Sequence, residues 1–133
     1  MTDEEKYEYW LDIAEYDLET AGAMYDKGRW MYVQFMCQQA VEKLVKGLYM
    51  LYVDDDVPRV HNIRAVLEKF DDKLKVSIPP EKYTLFDKLS RFYLNNRYPE
   101  YINKLSSQIN EPMAKAILTE TKEAFTWLLT LKP

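Results

Sequence analysis

The residues from Trp30 to Tyr52 carry the most regular hydrophobic pattern of the chain. Apolar side chains recur there at intervals of three and four residues, as expected of a helix that buries a broad face against several neighbours. Glu42 and Lys46 lie between them at i, i+4 spacing with the acid first, the favourable order along a helix. We predict the central helix of a bundle here, with one polar side. The predicted buried stripe is Cys37, Ala40, Val41, Leu44, Val45, Leu48, Leu51 and Tyr52. The predicted polar side is Gln38, Gln39, Glu42, Lys43 and Lys46.

A second amphipathic pattern precedes this one. Thr2 and Glu5 fit a capping box, in which each side chain satisfies a free backbone amide of the first turn. An apolar stripe then runs from Tyr7 to Tyr25, and Gly28 is placed to end the helix in a left-handed conformation. The link to the next helix is so short that the two must form an antiparallel hairpin.

Shorter helical patterns follow. Asn62 is a plausible N-cap for a short helix that begins at Ile63. Another helix is predicted to begin near Pro80, since proline suits a first turn, and to end around residues 95–96. Pro99 then favours extended backbone in the residue before it.

The last helix is predicted to start near Pro112, with Asn110 as its cap, after a polar loop that contains Ser106 and Ser107. Strand-like alternation never persists along the chain. We therefore predict an all-α protein in which residues 1–133 form a single domain.

The composition fits a folded domain: 133 residues are 47% hydrophobic, with only 3 glycines. The net charge of −4 argues against a broad electrostatic contact with nucleic acid, so any RNA contact must come from a local basic cluster. Cys37 lies on an apolar stripe and is the only cysteine, which predicts a buried residue in a reducing compartment. No apolar run approaches the roughly 18 residues that a membrane span needs, and the acidic N-terminus is unlike a secretory signal. We expect a cytoplasmic protein without membrane contact.

Two features invite a metal or catalytic interpretation. The carboxylate run at residues 54–56 could hold a cation, but a solvated loop is the preferred interpretation, because the chain has one histidine and no glycine-turned acidic loop. We predict neither a metal nor a cofactor. His61 could act as a general base, although a lone histidine near a helix start is more often a capping or packing residue.

The densest set of functional groups is the segment 91–100. Arg91 and Arg97 flank the amides of Asn95 and Asn96, and Tyr98 follows. Such groups at a helix end can bind a phosphate or a carboxylate. The alternative is that Arg91 pairs with an acid of a neighbouring helix and that Tyr98 only fills the loop.

Several motifs together resemble a HEPN domain (higher eukaryotes and prokaryotes nucleotide-binding) of the small stand-alone prokaryotic type. The residues 14–18 and 37–49 resemble the first hairpin of that family, whose second helix carries a Gln-Ala-x-Glu-Lys run. The residues 61–63 resemble its His-x-Leu entry to the third helix, and 97–100 its Arg-Tyr-Pro-acid turn. The resemblance extends from about Tyr7 to Leu129.

The resemblance implies an antiparallel up-and-down bundle of four to five helices, a homodimer, and a minimal nucleotidyltransferase as partner. Many such domains are metal-independent ribonucleases or toxins with an Arg-x4–6-His motif, and a tyrosine two residues after the histidine can be adenylylated. Arg91 matches the arginine and Tyr98 the tyrosine, but Asn96 stands at the histidine position. A carboxamide cannot transfer a proton near neutral pH, whereas Arg91, Asn95, Asn96 and Arg97 all remain donors for phosphate.

Three hypotheses follow. The first is a nucleotide-, RNA- or partner-binding module that acts with a minimal nucleotidyltransferase in a toxin–antitoxin-like system and is not itself catalytic. The second is a ribonuclease in which Arg91 stabilises the phosphorane charge and His61 supplies the base. The third is a purely structural bundle that dimerises.

The aromatic content adds a cue for self-association. Five aromatic residues cannot all lie on the predicted inward stripes, and exposed clusters of this kind mark interfaces, although several could simply be half-buried. We predict a homodimer, in which the resemblance implies that two 91–99 segments line a shared cleft. The residues concerned are Trp10, Trp30, Tyr32, Phe35 and Trp127.

Overall fold

The computed structural model describes residues 1–93 and 99–133. These residues form six α-helices and one 3-10 turn, without a β-strand, so the prediction of an all-α fold is confirmed. The helix number is higher than predicted, because residues 99–108 form an additional helix. The helices are α1 (Asp3–Asp26), α2 (Trp30–Tyr52), α3 (Ile63–Leu67), α4 (Pro80–Ser90), α5 (Pro99–Gln108) and α6 (Glu111–Leu129), and the 3-10 turn is Asp71–Lys73.

The hairpin of α1 and α2 forms where the sequence predicts it. Thr2 and Glu5 exchange two hydrogen bonds of 3.1 Å, each side chain accepting from the other residue's backbone amide. Gly28 has φ +70° and ends α1. The backbone amide of Arg29 then donates to the carbonyl of Met24 at 2.8 Å, as in a Schellman motif. The predicted caps are confirmed.

The α1–α2 contact depends on a glycine. A methyl group on Gly47 would lie 2.9 Å from Cβ of Trp10, closer than side-chain atoms normally come. The missing side chain therefore lets α1 lie directly against α2.

The central helix α2 is more deeply buried than predicted. It contacts α1, α3, α4, α5 and α6, and its apolar stripe forms the middle of the core. The predicted polar side does not face solvent throughout, because Gln38, Glu42 and Lys46 are only 0%, 1% and 6% exposed. The cause is tertiary packing, because the residues just before α3 cover this side of the helix. The backbone carbonyl of His61 accepts a hydrogen bond from Gln38, and its imidazole contacts the carboxylate of Glu42.

The second half of the chain combines correct and incorrect predictions. Asn62 and Asn110 cap α3 and α6 as predicted, and Pro80 is the first residue of α4. However, α4 ends at Ser90, earlier than predicted, because the backbone tightens into a turn in which the Phe92 amide donates to Leu89.

The predicted polar loop before α6 is wrong, because residues 99–108 form α5. Its apolar side chains are few, and Tyr101, Ile102 and Leu105 are only half-buried. Ser106 and Ser107 favour turns over helix interiors, and the segment was therefore predicted as a loop.

The five aromatic residues that do not fit the predicted inward stripes differ in how far they are buried. Trp30 and Trp127 pack against the core, whereas Tyr32 is 48% exposed. Among the described helices, none combines the length and apolar character that crossing a bilayer requires.

Candidate functional site

A cavity of about 560 Å³ opens between α2, α4, α5 and α6. We call it the Arg91 cavity, after one of the residues that line it. The C-terminal end of α4 supplies Lys88 and Arg91, and α5 supplies Lys104 from another side. Glu120 of α6 is the only acidic side chain among the described lining residues. The cavity therefore carries an excess of positive charge in a protein whose net charge is negative.

The three cations of this cavity are available to a ligand. Lys88, Arg91 and Lys104 form no ion pair with any residue that the structure describes. The pairing of Arg91 with an acid of a neighbouring helix, the alternative interpretation from the sequence, is thus not observed in the described part of the chain. Arg91 is exposed and is the C-cap residue of α4, and a cation is favourable at the negative end of a helix.

The wall of the cavity adds an amide and two aromatic rings. Gln34 of α2 is 1% exposed, and its Oε1 has no hydrogen-bond partner among the described residues. Phe92 and Tyr101 supply the rings. Guanidinium and ammonium groups bind phosphate oxygens, and aromatic faces stack on nucleobases. The arrangement suits a phosphorylated ligand with a flat apolar part.

Four of the residues proposed from the sequence lie outside the described part of the chain. They are Asn95, Asn96, Arg97 and Tyr98. Of the predicted phosphate-binding set, the structure places only Arg91.

His61 belongs to a different cluster. Its Nδ1 lies 3.3 and 3.2 Å from the two carboxylate oxygens of Glu42, and its ring stacks on Tyr93. Gln38 donates through Nε2 both to Glu42 Oε1, at 2.7 Å, and to the backbone carbonyl of His61, at 3.1 Å. Lys46 completes the cluster with Nζ 3.1 Å from Glu42 Oε2.

These contacts decide the charge of Glu42. Burial raises the pKa of its carboxyl, but Lys46, the hydrogen bond from Gln38 and Lys43 outweigh burial, so the pKa lies below its usual range. Glu42 is therefore a buried carboxylate, stabilised mainly by cations of its own helix.

Gln34, Gln38, Glu42 and Lys46 follow one another at four-residue intervals and are all buried. We call this row on α2 the polar ladder. Gln34, at one end, lines the Arg91 cavity, and Lys46, at the other, lines a smaller groove of about 420 Å³ together with His61. No described residue lines both spaces, so the structure does not bring His61 into the Arg91 cavity.

The acidic run at residues 54–56 is tied into the loop after α2. Asp55 pairs with Lys6 at 2.8 Å, and the Asp56 amide donates to Asp54 Oδ1 at 3.0 Å. In the described part of the chain, no three acidic, histidine or cysteine side chains are grouped as a metal ion requires.

Comparison with known proteins decides the family. The family model described as "HEPN domain" matches residues 7–131. The chain belongs to the HEPN domain family. Among solved structures, this HEPN domain resembles TT1696 from Thermus thermophilus, with a TM-score of 0.78 and 21% identity over 94% of this chain and 97% of that one. It also resembles ST0689, an archaeal HEPN homologue, with a TM-score of 0.71 and 21% identity over 96% and 98%. No curated protein sequence matches the chain.

The sequence did not point to every residue of the HEPN domain's cavity. Gln34 and Lys104 were missed, because only the packing of α2 and α5 beside α4 brings them next to Arg91. The spacing of Gln34 from Gln38 and Glu42 was a usable signal. A polar row at intervals of four, on a helix that is otherwise apolar, marks a face that contacts something polar.

Proposed function

We propose that this HEPN domain binds the phosphate group of a nucleotide or RNA in the Arg91 cavity and does not cleave it. The single observation that carries the proposal is the set of three cations, Lys88, Arg91 and Lys104, around one cavity without an ion pair to any described residue. Unpaired cations around an apolar space are the groups that a phosphorylated ligand needs.

The absence of catalysis rests on the chemistry of proton transfer. Metal-free cleavage of RNA needs a group that exchanges a proton near neutral pH, which an imidazole does. The chain has one histidine, and His61 lines the other groove, while Asn96 stands at the histidine position of the family motif. The ribonuclease hypothesis, with Arg91 and His61 acting together, has no support from the placement of these two residues.

The assembly forms part of the proposal. Membership of the family supports a cytoplasmic homodimer that works with a minimal nucleotidyltransferase in a toxin–antitoxin-like system, with Tyr98 as the residue that such a partner could modify. Sedimentation at micromolar concentration is expected to show a dimer, and a monomer would contradict this part. A nucleotidyltransferase gene is expected beside the gene for this chain.

The experiment that tests ligand binding compares two arginine variants. Arg91→Ala is expected to weaken binding of ATP, GTP or a short single-stranded RNA about tenfold or more, because a charge-assisted contact contributes about 1.5–3 kcal/mol. Arg29→Ala is the matched control. Arg29 is exposed in the α1–α2 turn, so this substitution removes the same charge outside the cavity. Equal weakening in both variants, or no binding by the wild type, would overturn the proposal.

The same samples test catalysis. The wild-type protein is incubated with a mixed RNA substrate without added metal, beside Arg91→Ala and His61→Ala. Intact RNA in all three is the expected result. Cleavage by the wild type that is lost in Arg91→Ala would mean that the protein is a ribonuclease and not a binding module.

A further inference from the structure

An open groove of about 800 Å³ runs between α1 and α6. Its apolar surface includes Leu18 of α1 and Phe125 and Leu129 of α6, and Leu129 is 37% exposed. We call it the acidic groove, after Glu15, Glu19 and Asp26, which also line it. From Glu15 to Asp26 the helix rises about 16 Å, which is three turns. None of its described lining residues lines the Arg91 cavity.

Gly22 lies in this groove, in the interior of α1. Glycine weakens a helix interior relative to alanine, so it usually marks a place where something must come close. At Gly47 the close neighbour is the side chain of Trp10. A methyl group on Gly22, by contrast, would meet no atom within 4 Å. Within the described part of the chain, then, packing does not require a glycine at position 22. A residue without a side chain leaves room there for a second molecule to approach the helix backbone closely.

The charge of the groove is one-sided. Three carboxylates line it against one cation, Lys122. The whole of α1 holds nine acidic side chains and one lysine, a formal charge of −8, so the rest of the chain carries +4 to give the total of −4. Such a field attracts a basic surface and repels a phosphate backbone.

We propose that the acidic groove is a docking site for an amphipathic helix of a basic partner protein. The apolar face of that helix lies against Leu18, Phe125 and Leu129, its backbone passes over Gly22, and its lysines or arginines meet Glu15 and Glu19. Helix-in-groove recognition places apolar anchors every three or four residues, and three turns are enough for several of them. A second copy of this chain is a poorer occupant through the same face, because two acidic rims would meet.

The probe is a synthetic, fluorescein-labelled amphipathic helix of roughly 18 residues, with leucines on one face and lysines along its flanks. A peptide of the same composition in scrambled order controls for charge alone. The wild-type protein is expected to bind the amphipathic peptide about tenfold or more tightly than the scrambled one, measured by fluorescence anisotropy. Equal binding of both peptides, or binding of neither, would overturn the proposal.

Variants locate the contact. Gly22→Leu fills the groove, and Glu15→Lys with Glu19→Lys reverses its rim; each is expected to weaken binding about tenfold or more. The matched control reverses Glu8 and Asp12, which are exposed on α1 and do not line the groove. The control is expected to change binding less than about threefold. Equal losses in the two charge-reversed pairs would mean non-specific attraction and would overturn the proposal.

Two further results keep the interpretation unambiguous. Circular dichroism reports whether Gly22→Leu folds, and the charge-reversed pair tests the proposal even if it does not. Self-association of the wild type that Gly22→Leu abolishes would assign the groove to a second copy and overturn the choice of occupant. Arg91→Ala is expected to bind the peptide normally, so this result and that of the phosphate-binding experiment are independent.

Discussion

The imidazole of His61 lies face to face on the phenol ring of Tyr93, with centroids 3.7 Å apart and planes 12° apart. Its Nδ1 is held at the same time by Glu42. Tyr93 follows Arg91 by two residues, so the contact fixes the chain just after α4 to the centre of the bundle. These two contacts tie His61 to α2 and, through Tyr93, to the segment that carries Arg91.

Two replacements of His61 distinguish the contribution of the ring stack on Tyr93 from that of the hydrogen bond to Glu42. His61→Ala is expected to lower the free energy of unfolding by about 1–2 kcal/mol and to weaken phosphate binding, because it removes both. His61→Phe keeps an aromatic ring against Tyr93 and is expected to lose less of each. Urea unfolding and nucleotide titration measure the two effects, and equal damage in both variants would show that the stack contributes little.

Glu42 makes stability depend on pH. Its pKa is lowered in the folded protein, so the native state stays ionised where the unfolded chain would take up a proton. This stabilisation is present above the ordinary glutamate pKa of about 4.5 and is lost as the pH falls below it towards the folded-state value. Glu42→Gln cannot ionise. The stability difference between wild type and this variant, measured by urea unfolding, is therefore expected to shrink between about pH 6 and pH 3.

A double variant distinguishes pairing from packing in the same cluster. Glu42→Gln alone leaves Lys46 buried without its partner and is expected to cost about 3–5 kcal/mol near neutral pH. Adding Lys46→Met removes the unpaired charge, so the double variant should be less destabilised than the sum of the single ones. Additive effects would show that the two side chains do not act as a pair.

Two glycines are expected to respond to alanine in opposite ways. Gly47→Ala places a methyl group 2.9 Å from Cβ of Trp10 and should cost about 1–3 kcal/mol of stability. Gly22→Ala places it in open space and should stabilise the isolated protein by about 0.5–1 kcal/mol. Both sites are helical, so differences in helix propensity cancel in the comparison. A stabilising Gly47→Ala would mean that α1 can move away from α2 at little cost.

Cys37 is expected to be inert in the native protein. It is fully buried, and burial raises the pKa of its thiol to about 12, so almost no thiolate exists at neutral pH. A thiol reagent such as DTNB should react only as fast as the protein unfolds, and fully in denaturant. Rapid labelling of the folded protein would place Cys37 in a mobile part of the core.

The predictable parts of the fold are those with local causes. The Thr2–Glu5 capping box, the left-handed Gly28 and the Asn62 and Asn110 caps depend on neighbours a few residues away, and all were found. The burial of Glu42 was not predictable in this way, because it is His61, 19 residues later, that covers it. Helix α5 was missed for a different reason, since its serines at positions 106 and 107 favour turns and were interpreted as a loop.

The same distinction applies to the candidate site. The cluster of groups that begins at Arg91 is visible in the sequence, because it is continuous. The cavity is not, since Gln34 precedes Arg91 by 57 positions and Lys104 belongs to a helix that the pattern did not predict. The resemblance to HEPN domains supplied the family but could not supply the geometry.

The polar ladder also restricts how the domain can move. A rotation of α2 by one residue, about 100°, would turn Glu42 into apolar surroundings and separate it from Gln38, Lys46 and His61. The central helix is therefore locked in one rotational setting, although most of its other side chains are apolar. Any rearrangement of the cavity walls is therefore expected to involve α4, α5 and α6, which line the cavity beside a fixed α2.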